Sequence, residues 1–351
     1  MKKPYLKGRG AQINPPNQFD QYVYDKDPYM YMAPDQSQLS TKFIDVHPKT
    51  IVNKVDSPDI PFNYSINPYQ GCEHGCVYCY ARNTHAYWGY SAGMEFEQKI
   101  LVKKDAPALL DKKLRSKRWK PAPIMLSGNT DCYQPIEKKM EITRELLRIL
   151  WKHRHPVGII TKNSLILRDL DYLRQLNKHN LVRVAISLTT LREDLRQLME
   201  PRTTTVVGRL KTIKILADEG IPVNVMMAPI IPGLNNNEIF ELLKVAAERG
   251  ARSASYTIVR LNGDVATIFE DWIRKTYPDR ADKVLNQIKD CHGGQLEDNR
   301  FKERMKGEGQ YAEIIKKQFD IARKRYFPQE KLPPMDVELY KQMRNPQMRL
   351  F

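Results

Sequence analysis

The sequence predicts an α/β fold: an incomplete (βα)6 TIM-like barrel with an irregular N-terminal arm and a helical C-terminal cap. Three observations predict it. From about residue 120, short apolar runs alternate with amphipathic stretches, the pattern of βα units around a parallel sheet. Counted with one earlier strand, the units number six before the alternation stops near residue 262, too few for a closed eight-stranded barrel. Residues 1–60, rich in Pro, Asn, Gln, Asp and Tyr, keep no sustained period of either 3.6 or 2.

The first strand is expected around Phe62 to Ile66, and the second at Pro123 to Ser127. Ile142, Leu146, Ile149 and Leu150 then fall at helical spacing. Val157 to Thr161 is the third strand, followed by a helix carrying Leu170, Leu173 and Leu176; Leu181 to Leu188 is the fourth. A helix with Val206, Leu210, Ile213 and Leu216 ends at Gly220, a residue suited to a left-handed cap, before the fifth strand, Val223 to Met227. Leu242, Val245 and Ala246 mark the next helix, and Ser253 to Val259 the last strand. The expected organisation is an arm over 1–60, a partial barrel over 61–262 and a helical extension over 263–351, with helices near 281–289 and 310–326. The Gly8-Arg9-Gly10 start is expected to be flexible, as glycine-rich termini usually are.

The chain has 351 residues, enough for a substantial core. No stretch approaches the roughly 20 apolar residues of a membrane span, and the first residues lead into no signal-peptide core, so a cytoplasmic protein is expected. A net charge of +16 favours polyanionic partners such as nucleic acid through nonspecific attraction. It names no site, and dispersal of the basic residues over solvated helix faces accounts for it equally well. The oligomeric state leaves no signature.

Of five cysteines, three lie in Gly71-Cys72-Glu73-His74-Gly75-Cys76-Val77-Tyr78-Cys79-Tyr80. Cysteines this close usually bind metal instead of forming disulfides. Three thiolates on one tight loop can each ligate one iron of a four-iron, four-sulfur cluster, with Gly71 and Gly75 letting the backbone bend around it. The fourth iron is then left open for a small molecule. The competing reading is a structural zinc site completed by His74, His85 or Cys132.

Cys-x3-Cys-x2-Cys after the first strand of a six-unit barrel resembles the radical S-adenosylmethionine (SAM) superfamily. Within it, the chain is similar to the spore photoproduct lyase group over nearly its whole length. Gly8 to Ala11, Tyr78 to Arg82, Thr130 to Pro135, Thr161-Lys162, Glu200 to Arg202 and Ala228 to Gly233 carry that similarity.

The resemblance implies one 4Fe-4S cluster on Cys72, Cys76 and Cys79, whose open iron chelates SAM. Reduction then yields a 5′-deoxyadenosyl radical that abstracts hydrogen from a substrate. It implies an electron donor such as flavodoxin or ferredoxin. It places Tyr78 against the adenine of SAM, and Thr130, Lys162 and Ser187 at strand ends in contact with SAM, with Lys162 on its carboxylate. Ala228 and Pro229 open a segment packing along the adenine. Tyr78 and Tyr80 are expected to assist hydrogen transfer. The cysteine that the lyase uses as hydrogen donor is here Gly128, so Cys132 is the substitute candidate.

The substrate is then expected to be nucleic acid or nucleotide-like. The alternatives are radical modification of a protein or metabolite, or a non-catalytic iron–sulfur sensor of nucleic acid. Arg82 with His85, Tyr87, Trp88 and Tyr90 is a candidate surface for stacking on nucleobases, although core packing explains those residues as well.

Overall fold

A computed structural model of the chain describes residues 5–19, 40–328 and 332–344. Ten strands are described: β1 (Lys42–Asp45), β2 (Asn53–Lys54), β3 (Tyr64–Ile66), β4 (Tyr69–Gln70), β5 (Lys99–Val102), β6 (Ile124–Leu126), β7 (Val157–Thr161), β8 (Val182–Ser187), β9 (Val223–Ile230) and β10 (Ser253–Ile258). The main sheet has the order β10-β9-β8-β7-β6-β3-β2. Its six strands from β3 to β10 are parallel, and β2 adds antiparallel to β3. These six are the expected barrel strands.

Buried residues alternate along the longer strands, Val182, Val184 and Ile186 on β8 and Val223, Val225 and Met227 on β9, as one wall of a barrel requires. The crossover helices lay Leu146, Leu147 and Leu150, then Ile213 and Leu216, then Leu242, Leu243 and Ala246 against the same core. Such burial contributes about 2 kcal/mol for each large aliphatic side chain.

The ladder does not close: β10 and β2 are the outer strands of the main sheet. Between β10 and the β2–β3 connection the C-terminal extension crosses the seam. The backbone N–H of Ile258 bonds to Met305 O at 3.0 Å, and Asp59 accepts from Lys302 N and Arg304 Nε, both at 2.6 Å.

Several expectations need correction. The arm is not wholly irregular, because β1 and β2 lie within it, and β1 pairs in parallel with β5. The strand β5, the helix Ala106–Arg115 and the helix Asp264–Thr276 were not expected. The last of these carries Val265, Ile268, Phe269, Trp272 and Ile273 at helical spacing, a signal present in the sequence but outside the strand–helix alternation. The Gly8-Arg9-Gly10 start is packed, not flexible: a Cβ at Gly10 would lie 1.6 Å from the carbonyl oxygen of Gly75.

Candidate active site

The cysteine loop follows β4 and is suspended by its backbone. Cys72 N–H bonds to Phe96 O at 2.9 Å and Val77 N–H to Met199 O at 3.0 Å. Glu73 N–H bonds to Gln134 Oε1 at 2.9 Å, and the same side chain returns Nε2 to Gly71 O at 3.1 Å. Gly71 and Gly75 both have positive φ, as glycine alone adopts at little cost. Cys72 and Cys76 are buried in two small apolar clusters, and Cys79 packs against both clusters.

Behind the loop lies an ion pair with no solvent access, Arg82 Nη2 to Glu97 Oε1 at 2.6 Å. Arg82 also donates to the carbonyls of Cys76 (2.9 Å), Ala92 (3.1 Å) and Gly93 (2.9 Å). Glu97 accepts from the backbone of Gly10 and Ala11 at 3.2 and 2.8 Å. The N-terminal arm, the cluster loop and the segment before β5 therefore meet on one carboxylate. Arg82 is thus taken from the expected nucleobase-stacking surface, and His85 is buried against Phe96; Tyr87 and Trp88 stay exposed.

On the barrel side, Tyr78 is buried and donates its phenol to Glu200. Glu200 also accepts from Thr189 Oγ1 at 2.8 Å and pairs with the buried Arg209. Burial alone would raise the Glu200 carboxyl, but Arg209, Lys162 and Tyr78 outweigh it and hold it down at about 2. The same carboxylate, with burial, pushes the Tyr78 phenol up. Lys162, just past β7, places Nζ 5.9 Å from the Tyr78 ring centroid.

Its backbone is fixed by Asp131, which accepts from Lys162 N and Tyr133 N at 2.9 Å and from Thr161 Oγ1 at 2.8 Å. Asp131 also faces His74 of the cysteine loop at 3.4 Å. Burial pushes the Asp131 carboxyl up, and His74 with these backbone donors brings it below its ordinary value.

The remaining candidates fall in different places. Thr130 is buried, and its hydroxyl donates to Tyr69 O at 2.6 Å, bracing the strand before the loop. Ser187 is buried at the end of β8, and its carbonyl accepts from Arg209 at 3.0 Å. Ala228 and Pro229 lie on β9, joined by a cis peptide bond. Tyr80 is 50% exposed and donates to Gly128 O at 2.6 Å.

Cys132 is fully buried in the barrel core with Tyr69 and Tyr133, and burial pushes its thiol up. Glu97, Glu200 and the His74–Asp131 contact were missed as site residues, although Glu200 and Asp131 lie in segments carrying the family similarity.

A family model described as "Radical SAM superfamily" matches residues 66–246. The chain belongs to that superfamily. An uncharacterized protein of Mycobacterium tuberculosis is 32% identical over 240 residues, 68% of this chain and 71% of the relative. Another from Methanocaldococcus jannaschii is 28% identical over 247 residues, 70% and 88% of the two chains.

Among solved structures, a spore photoproduct lyase mutant with bound AdoMet and dinucleoside spore photoproduct aligns with a TM-score of 0.61 and 17% identity. The alignment covers 83% of this chain and 81% of that one, and shows a shared fold.

As a radical SAM enzyme, the chain uses a 4Fe-4S cluster and SAM. The donor set fits the cluster. The three thiols share one loop, each able to take one iron of the cluster. Of the residues that could complete a zinc site, His74 is paired with Asp131 and Cys132 is packed in the core. Burial pushes all three thiols up, and bound iron would supply the positive charge that favours their thiolates. Among the described residues no helix is long and apolar enough to cross a membrane.

Proposed function

We propose that this radical SAM enzyme abstracts a hydrogen atom from a nucleic-acid or nucleotide-like substrate at the mouth of the partial barrel. When bound, the cluster and SAM supply a 5′-deoxyadenosyl radical. Cys72, Cys76 and Cys79 would hold the cluster. Lys162, an ammonium poised above Tyr78, would pair with the carboxylate of SAM, while Ser187, Ala228 and Pro229 would line the ribose and adenine. Thr130 supports the loop from below.

The observation that carries the reading is the division of labour around Cys79. Tyr78 is locked inward on Glu200, whereas Tyr80 keeps half its surface exposed. An accessible phenol can give a hydrogen atom to a substrate radical, its O–H bond breaking as the new C–H bond forms, and the phenoxyl left behind regains an electron from the electron donor and a proton from solvent. The shared fold with an enzyme solved with a dinucleoside, and the charge of +16, support a polyanionic substrate.

Cysteine-dependent return of hydrogen, as in the lyase, does not fit. A Cβ at Gly128 would lie 2.7 Å from Ser65 Cβ, and Cys132 faces the core. The required electron donor we take to be a flavodoxin or ferredoxin.

The test is anaerobic reconstitution, reduction with dithionite, and chromatography of 5′-deoxyadenosine from SAM, with single-stranded and duplex DNA and RNA added at stated salt. Stimulation by one of them, with deuterium from a labelled strand entering 5′-deoxyadenosine, is expected. Cleavage of SAM that no nucleic acid stimulates would overturn the substrate assignment.

A further inference from the structure

Two cations flank the cluster loop in parallel. Lys162 lies 5.9 Å from the ring centroid of Tyr78, and Arg260 lies 6.0 Å from that of Tyr80, so each tyrosine beside Cys79 has one basic partner. Lys162 has a role toward SAM. Arg260 has none so far.

Arg260 stands just past β10, the outer strand at the seam of the barrel. Its neighbours fix the backbone there: Val259 N–H bonds to Ile230 O at 2.9 Å, and Leu261 N–H to Leu296 O at 3.0 Å. Yet no hydrogen bond or ion pair joins the guanidinium to the described residues, although it feels the carboxylates of Asp59 and Asp298. Those two carboxylates are already engaged, Asp59 by Lys302 N–H and Arg304 and Asp298 by Arg300 and His292. Burial, with Arg304 close by, lowers its pKa without neutralising it.

A guanidinium carries five donors and no acceptor, and those of Arg260 are open to a further partner. Arg304 is neutralised by Asp59 at 2.6 Å, so the Arg260 fork stays open to an added anion. The fork of arginine matches the paired oxygens of a phosphate, and its stacking on an aromatic ring limits the orientations it can take.

We propose that Arg260 anchors a phosphate of the substrate at the barrel seam, holding the adjoining nucleotide over Tyr80 and Cys79. This rests on the nucleic-acid reading above. It adds where the backbone of that substrate is gripped, and on which side of the opening the strand runs.

The test is fluorescence anisotropy of a labelled single-stranded oligonucleotide with the cluster-reconstituted full chain, across a salt series. A second arm compares thymidine monophosphate with thymidine as competitors. Arg260→Gln is expected to weaken oligonucleotide binding roughly ten- to hundredfold, the loss of one charged hydrogen-bonding contact. It should reduce the magnitude of the salt slope by about 0.7, one single-strand phosphate contact, and abolish the preference for the monophosphate over the nucleoside. Arg260→Lys should keep the slope and recover part of the affinity.

Iron content and circular dichroism report whether fold and cluster persist. If Arg260→Gln loses them, Arg260→Lys carries the test, because it removes only the fork. Wild-type affinity, slope and monophosphate preference in the variant would overturn the anchor while leaving the nucleic-acid reading intact. If no oligonucleotide binds but the monophosphate preference depends on Arg260, the anchor stands and the polymer substrate falls.

Discussion

Glu97 is the residue whose removal most directly tests how the cluster loop is held. Its carboxylate, with no solvent access, accepts from Arg82, Gly10 and Ala11. Glu97→Ala leaves the Arg82 guanidinium buried without its counter-charge, a change worth about 3–5 kcal/mol, and frees the arm from the loop. For a chain of this length, roughly 2 °C of melting temperature follows each kcal/mol, so a drop of about 6–10 °C is expected.

Iron retention should fall in parallel, because Arg82 also holds the carbonyl of Cys76. Glu97→Gln keeps the shape but turns an amide N–H toward other donors, and should lie between the two. The assay is differential scanning calorimetry under nitrogen with iron counted per chain. A Glu97→Ala protein that melts with wild type and keeps its iron would refute the reasoning, since the buried pair would then bear no part of the load.

Acidification acts at His155, where burial lowers the imidazole to about 4. Trp119 Nε1 donates to Nε2 at 3.1 Å and Nδ1 faces Pro156 O at 3.0 Å, fixing the neutral ring. Between its ordinary value of 6.5 and about 4 only the unfolded chain takes the proton. Stability fully present above 6.5 is therefore lost on descent through that window, by about 3 kcal/mol. Urea midpoints across the window should show it, and His155→Gln should flatten the slope.

Gly10→Ala drives a Cβ into the Gly75 carbonyl and should release the arm to proteolysis with loss of iron. Gly8→Ala meets nothing within 4 Å and should cost only the roughly 1–2 kcal/mol of its positive φ. Lys162→Ala should keep the cluster yet bind SAM roughly ten- to hundredfold more weakly, measured by equilibrium dialysis; wild-type affinity would remove Lys162 from the SAM site.

The barrel was legible because its strands and helices repeat a period that each segment announces by itself. Val157–Thr161 and Val223–Ile230 are apolar runs followed by helices with leucines at helical spacing, and no distant residue is needed to read them. The cysteine motif was legible for the same reason, all three ligands lying in one loop. What failed to show is what depends on distance in the chain. Gly10 appears dispensable until Gly75 is brought against it, and Arg82 resembles a surface cation until Glu97 closes over it. The short β5 has too few residues for a period, and is a strand because β1 and β4 pair with it.

The same dependence on distant partners decides how two tyrosines one residue either side of Cys79 come to differ. Their phenols meet acceptors of opposite consequence. Glu200, kept ionised by Arg209, draws Tyr78 into the core, where its ring can only be a wall for whatever binds above it. Gly128 offers Tyr80 a neutral carbonyl just past β6, leaving the ring half exposed.

Position 128 has no room for a side chain. Ser65 already occupies the space a Cβ would need, so a cysteine there would have to displace β3 and the loop that follows it. Position 128 thus offers no thiol, and its carbonyl serves as the acceptor for the Tyr80 phenol.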